Sequence, residues 1–172
     1  MNLEERCQPI ELILSDVDGV LTDGGIVFDN QGIETKRFHV RDGQGIKLWQ
    51  RAGFRFGLVT GRSSNVVKMR VADLGIDLLR QGADNKRATV KEILASLHLQ
   101  PRQVAYLGDD LPDLAVVRAA GLGITVADAP AELRESAHYV THHRGGCGAV
   151  RETIEMILKA QRRWDDLIQA YL

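Results

Sequence analysis

With 172 residues, the chain has material for one domain with a full core and too little for two ordinary ones. An apolar fraction of 44%, a charged fraction of 26% and a net charge of -1 without any lysine or arginine block suit a soluble globular protein, and argue against nucleic acid or an anionic membrane as partner. Met1-Asn2-Leu3-Glu4-Glu5-Arg6 lacks the apolar core of a secretion signal, no stretch is long enough to span a bilayer, and Cys7 and Cys147 have neither metal nor redox spacing, so a reducing cytoplasm is expected.

Short apolar runs alternate with helical patterns. The runs are Glu11 to Ser15, Phe54 to Val59, Asp77 to Leu79, Val104 to Leu107, Gly123 to Val126 and His138 to Val140. Between them, Ile46, Leu48 and Trp49 follow a helix start at Asp42, and Val66, Val67, Arg70, Val71 and Leu74 follow a Ser63-Ser64 cap. Val90, Ile93, Leu94 and Leu97 form a third stripe, and Leu114, Val117 and Ala120 a fourth behind Pro112. Strands alternating with helices predict an α/β fold: a three-layer α/β/α, Rossmann-like, doubly wound parallel sheet over residues 1–172.

Two segments stand outside the alternation. From Gly25 to Val40, strand-like runs flank the Asn30-Gln31-Gly32 turn and predict a β-hairpin insertion. Its Ile26, Phe28, Ile33, Phe38 and Val40 carry more apolar surface than an isolated hairpin can cover, which points to pairing with other subunits. The C-terminal stretch from Val150 to Leu172 reads as a helix with an apolar tail that docks on its own domain or on a neighbour.

Parallel sheets bind ligands at the carboxyl ends of their strands, and there the chain places its candidate chemistry. The first run ends in Asp16-Val17-Asp18-Gly19, the second in Thr60-Gly61-Arg62, the fourth in Gly108-Asp109-Asp110, with Asp113 beyond it, and Lys86 opens the third helix. Asp16 and Asp109 can share a hard divalent cation through oxygen, which favours Mg²⁺. Lys86, Thr60 and the Gly61 backbone turn would hold a phosphoryl group. Asp16 is then free as nucleophile, with Asp18 as acid and base.

These four motifs, in this order, resemble those of the haloacid dehalogenase superfamily. The resemblance implies that Asp16 becomes phosphorylated and that Mg²⁺ is held by Asp16, the backbone carbonyl of Asp18, and Asp109, with Asp110 and Asp113 orienting. No cap domain is expected, since only the hairpin separates Thr22 from the first helix. Within the superfamily, the hairpin, the Gln103–Leu114 run and Arg144-Gly145-Gly146-Cys147-Gly148 are similar to the 3-deoxy-D-manno-octulosonate 8-phosphate phosphatases. That likeness implies a cytoplasmic sugar-acid phosphatase of lipopolysaccharide biosynthesis, assembled as a homotetramer with active sites shared between subunits. Arg62 suits a sugar-acid carboxylate or phosphate, and Arg70, Arg144, Gly145 and Gly146 are further substrate-binding candidates. The alternatives are a 2-keto-3-deoxynononate 9-phosphate phosphatase, and a weakly catalytic tetramerisation domain like that fused to sialic acid cytidylyltransferase. His142 and His143, adjacent on an extended segment, should point apart and so not form a metal pair. Trp49 and Trp164 are expected to pack.

Overall fold

Apolar runs buried on both faces leave their backbone groups only neighbouring strands to bond, so each run becomes a strand of one sheet. The computed structural model describes residues 1–172. A short helix absent from the sequence expectation, α1 (Leu3–Cys7), opens the chain. Asn2 caps it in reciprocal hydrogen bonds with Glu5. Next come β1 (Leu12–Ser15) and the hairpin β2 (Val27–Phe28) and β3 (Glu34–Thr35). The hairpin strands are shorter than the Gly25-to-Val40 span predicts, because Val40 already opens α2 (Val40–Arg51). Asp29 Oδ1 accepts the N–H groups of Gln31 and Ile33 and closes the turn.

Three strand–helix units follow: β4 (Arg55–Val59) and α3 (Asn65–Leu74); β5 (Leu78–Arg80) and α4 (Lys86–Leu97); β6 (Val104–Gly108) and α5 (Leu114–Ala119). Ser64 caps α3 by accepting the Val67 N–H, and Asn85 caps α4 by accepting the Ala88 N–H. Pro112 sits in a single 3₁₀ turn, Leu111–Asp113, ahead of α5 rather than in the helix itself. The chain ends with β7 (Leu122–Thr125), α6 (Ala131–Ser136), β8 (Tyr139–Val140), α7 (Ala149–Ala160) and α8 (Trp164–Gln169).

All six main strands are parallel in the order β5-β4-β1-β6-β7-β8. From β1 the chain winds first to one side and then to the other, so a crevice opens at the carboxyl ends of β1 and β6. Side chains alternate across the sheet: Ile13, Phe56, Leu58, Ala105 and Leu107 pack with α2, α3 and α7, and Leu12, Leu14, Val104 and Tyr106 with α4 and α5. Each such fully buried aliphatic side chain stabilises the fold by about 1.5–3 kcal/mol.

The predicted single C-terminal helix is broken. Arg162 turns left-handed at φ 57°, and the Arg163 N–H closes on the Leu158 carbonyl at 2.9 Å. The break lets Trp164 and Leu167 fold back on the core, with the cations of Arg151 and Lys159 5.2 and 5.3 Å from the Trp164 ring centroid. The Tyr171 hydroxyl accepts from Gln44 Nε2 at 2.6 Å, so the tail lies on α2 of its own chain. Trp49 is fully buried and stacked on Phe54. His142 and His143 do not point apart. The segment bends, and both Nδ1 atoms meet the Glu152 carboxylate, at 2.9 and 2.6 Å.

Candidate active site

β1 delivers Asp16 into the crevice. The Asp16 N–H donates to the Leu107 carbonyl, which extends the β1–β6 ladder by one residue, and Oδ1 accepts the Val17 N–H at 2.6 Å. The other oxygen, Oδ2, is contacted by Lys86 Nζ from the first turn of α4. Lys86 Nζ also reaches Asp113 Oδ1 at 2.7 Å. Burial works against this ammonium, yet Asp16 and Asp113 more than offset it and hold its pKa above the ordinary lysine value.

Asp109 enters from the end of β6, against Gly19. A side chain at Gly19, where φ is 87°, would collide with the Asp109 carboxylate. Asp16, Asp109 and Asp113 each bring a carboxylate oxygen within 4.8 Å of the others. Burial and the Asp113 charge push Asp16 up to about 6 despite Lys86, and burial with Asp16 and Asp113 pushes Asp109 up to about 7. Asp113 is saturated by donors: Lys86 and the Tyr106 hydroxyl meet Oδ1, and the Asp109 and Asp110 N–H groups face Oδ2. Asp110 caps the 3₁₀ turn and is exposed.

Thr60 is buried at the end of β4, where its N–H donates to the Arg80 carbonyl and its carbonyl accepts from Ala83. Thr60, Gly61 and Arg62 line an open pocket of about 440 Å³ together with Asp16, Asp18, Lys86 and Asp109. Unlike Asp16, the Asp18 carboxylate leaves the cluster: Oδ1 lies 2.5 Å from Lys36 Nζ, and Oδ2 lies 3.5 Å from Arg62 Nε. The two aspartates are thus divided between different cations.

The remaining candidates lie elsewhere in the chain. Arg70 is held by Asp73 at 2.6 Å and over the Phe38 ring, on the side of α3 that meets Gly43 of α2. Arg144 is exposed and 3.7 Å from Asp128. Gly145 and Gly146 press on the backbone from Gly19 to Asp23 so closely that side chains there would collide with it, and the Gly146 N–H donates to the Val20 carbonyl at 2.9 Å. They brace the loop after β1 from behind.

Sequence reasoning missed Glu34, Lys36 and Tyr106. Glu34 joins Arg62 Nη2 at 2.9 Å and Ser64 Oγ at 2.5 Å. The alternation that shelters Glu34, Lys36 and Phe38 while exposing Thr35 and Arg37 emerges only in the fold.

A family model of haloacid dehalogenase-like hydrolases matches residues 76–154. The chain is 46% identical to the 3-deoxy-D-manno-octulosonate 8-phosphate phosphatase KdsC of Yersinia pestis over 157 residues, 91% of this chain and 84% of that protein. A crystal structure of 3-deoxy-D-manno-octulosonate 8-phosphate phosphatase from Moraxella catarrhalis, in complex with magnesium, phosphate and the sugar acid, superposes with a TM-score of 0.97, and a second relative with 0.96. The Moraxella protein is 41% identical, with 98% of this chain and 97% of that chain covered. The second, a probable phosphatase of the yrbi family from Pseudomonas syringae, is 46% identical, covering 98% of this chain and 96% of that one.

Proposed function

The chain belongs to the haloacid dehalogenase-like hydrolases, within the family of 3-deoxy-D-manno-octulosonate 8-phosphate phosphatases, and from that membership we propose that it hydrolyses 3-deoxy-D-manno-octulosonate 8-phosphate to the free sugar acid and phosphate. The observation that carries this reading is the convergence of Asp16, Asp109 and Lys86 at the crevice between β1 and β6, with Thr60 and Arg62 on the same pocket wall.

The donor set fits Mg²⁺. Its side-chain atoms are hard carboxylate oxygens, and the raised proton affinities of Asp16 and Asp109 reflect first their burial and then repulsion from neighbouring carboxylates, both of which a divalent cation offsets. Asp16, Asp109 and the Asp18 carbonyl would hold it, whereas Asp113 already spends both oxygens on protein donors. Once bound, Mg²⁺ neutralises charge between the carboxylates and the phosphate dianion.

Lys86, the Thr60 hydroxyl and the Gly61 backbone bind the phosphoryl oxygens. An Asp16 oxygen attacks phosphorus and displaces the sugar alkoxide, and Asp18 gives that oxygen its proton. Asp18 then takes a proton from water, the resulting hydroxide attacks the aspartyl-phosphate, and Asp16 leaves as carboxylate. Arg62 receives the carboxylate of the sugar acid. Gly145 and Gly146 act by keeping the Asp16–Asp18 loop in place, and Arg70 and Arg144, which do not line this pocket, would meet substrate across a subunit boundary. The proposed assembly is a cytoplasmic homotetramer joined through the hairpins, whose Ile26, Val27, Phe28 and Ile33 are exposed. No helix is long and apolar enough to cross a membrane.

Phosphate release on the eight- and nine-carbon sugar-acid phosphates, with and without Mg²⁺ and beside Asp16→Asn, tests the reading. Mg²⁺-dependent turnover that prefers the eight-carbon ester and vanishes in the variant is expected. Absence of Mg²⁺-dependent turnover on any phosphomonoester would overturn it, and preference for the nine-carbon ester would move the substrate.

A further inference from the structure

The hairpin has an inner side as well as an apolar outer one. Glu34 is met there by three donors, two from the approach to α3 and one from the hairpin itself: Arg62 Nη2 at 2.9 Å, Ser64 Oγ at 2.5 Å and Lys36 Nζ at 3.2 Å. Ser64 is the cap of α3, directly after the Thr60-Gly61-Arg62 turn, so one carboxylate clamps both the start of that helix and the guanidinium ahead of it. Arg62 is the only arginine lining the catalytic pocket.

Two carboxylates compete for that guanidinium. Asp18 Oδ2 stands 3.5 Å from Nε, while Glu34 Oε1 holds Nη2. Without Glu34, the planar fork would be free to close bidentately on Asp18, spending its donors on the protein. With Glu34 in place, Nη2 is fixed from the hairpin side and the rest of the fork stays turned to the pocket. An arginine restrained before the ligand arrives also loses less freedom on binding it.

We propose that Glu34 is a positioning residue that sets Arg62 for a second anionic group on the substrate, so that the hairpin, in place of a cap, selects phosphate esters of organic acids. The inference rests on the proposed function. It is tested by kcat and KM in Mg²⁺ for the wild type, Glu34→Ala, Glu34→Gln, Arg62→Ala and Glu34→Ala/Arg62→Ala, on the eight-carbon sugar-acid phosphate and on p-nitrophenyl phosphate, with melting curves for each.

Glu34→Ala should lower kcat/KM on the sugar-acid ester about tenfold, mainly through KM, with a clearly smaller loss on the aryl ester. Glu34→Gln keeps an acceptor for Arg62 and should lose less, which also serves if the alanine variant folds poorly. The double variant should be no worse than Arg62→Ala alone, since both changes remove one interaction. Equal losses on the two esters, or losses that multiply in the double variant, would overturn the role of Glu34 while leaving the phosphatase intact. A wild type that cleaves the aryl ester and not the sugar-acid ester would overturn the substrate reading and this inference with it.

Discussion

Asp113 anchors Lys86: its Oδ1 lies 2.7 Å from the ammonium and 2.6 Å from the Tyr106 hydroxyl, and all three groups are buried. Lys86 can therefore touch Asp16 without collapsing onto it, and stays available for a phosphoryl oxygen. Replacing Asp113 by Asn removes the anchor and turns an amide donor toward groups that need an acceptor. Steady-state kinetics should show kcat reduced about 10²–10³-fold, the scale for a displaced charge-stabilising group, with KM less affected. Breaking a buried pair costs about 3–5 kcal/mol, partly returned here because Asp16 and Asp109 lose a repelling neighbour. Tyr106→Phe gives up one hydrogen bond, about 0.5–1.5 kcal/mol by denaturant unfolding, and should keep most activity.

Asp16 and Asp109 titrate upward, to about 6 and about 7, where an unfolded aspartate sits near 3.8. Between those limits the native metal-free protein binds more protons than the unfolded chain, so its stability falls as pH rises through that window. Melting temperatures without metal should therefore increase as pH is lowered from about 8 toward 6, and Mg²⁺ should stabilise most at the higher pH. Calorimetric Mg²⁺ affinity should weaken as the pH drops below about 7, because a proton must leave Asp109 for the cation to bind. In Asp109→Asn the Mg²⁺ effect should vanish and the pH slope should flatten. An unchanged slope would assign it to other groups.

The strand ends were readable because each motif is local. Asp16 and Asp18, Thr60 and Arg62, and Asp109 and Asp113 lie within a few residues of the strand that carries them, and parallel topology brings strand ends to one edge. Lys86 was readable as the opening residue of a capped helix. Glu34 and Lys36 were not, since they reach the site only when the hairpin folds over it, and a two-residue strand has too little alternation to show its inner face. Helix α6 buries only Leu133 and so leaves no stripe to read. The break at Arg162 carries neither Gly nor Pro, and is imposed by the packing of Trp164 and Leu167. The bend that turns His142 and His143 to one carboxylate is likewise set by a distant residue, Glu152.

Glu152 ties β8 and the following bend to α7. Burial would raise its pKa, but the His142 N–H, the rings of His142 and His143, and the Tyr139 hydroxyl prevail and bring it down to about 2. A carboxyl depressed from 4.5 contributes stability above about pH 4.5, and the contribution is lost as pH falls through about 2. Solvent screening at the exposed His142 and His143 side chains holds that contribution to about 1 kcal/mol near neutrality. Glu152→Gln should unfold at correspondingly lower urea at neutral pH, with the gap to wild type shrinking as the medium is acidified from about pH 5 toward 2. A gap independent of pH would trace the loss to packing instead.

Val27 and Ile33 are each 55% exposed on the outer side of the same hairpin, where Val27 pairs with Thr35, while Glu34 and Lys36 hold Arg62 and Asp18 on the inner side. A two-stranded hairpin is marginal alone, and this one has only two residues in each strand. Covering its apolar side with neighbouring copies would hold it down, and would hold Glu34 and Lys36 in place. Assembly and activity should then be linked. Val27→Asp places a charge in the proposed interface, and light scattering should show the proposed tetramer reduced to smaller species. Activity per subunit should fall with it, and in a weakened variant such as Val27→Ala it should recover as protein concentration rises, because association stabilises the active arrangement by mass action. A Val27→Asp protein that remains tetrameric would remove the hairpin from the interface. A fully active monomer would show that the hairpin seats Glu34 and Lys36 without neighbours.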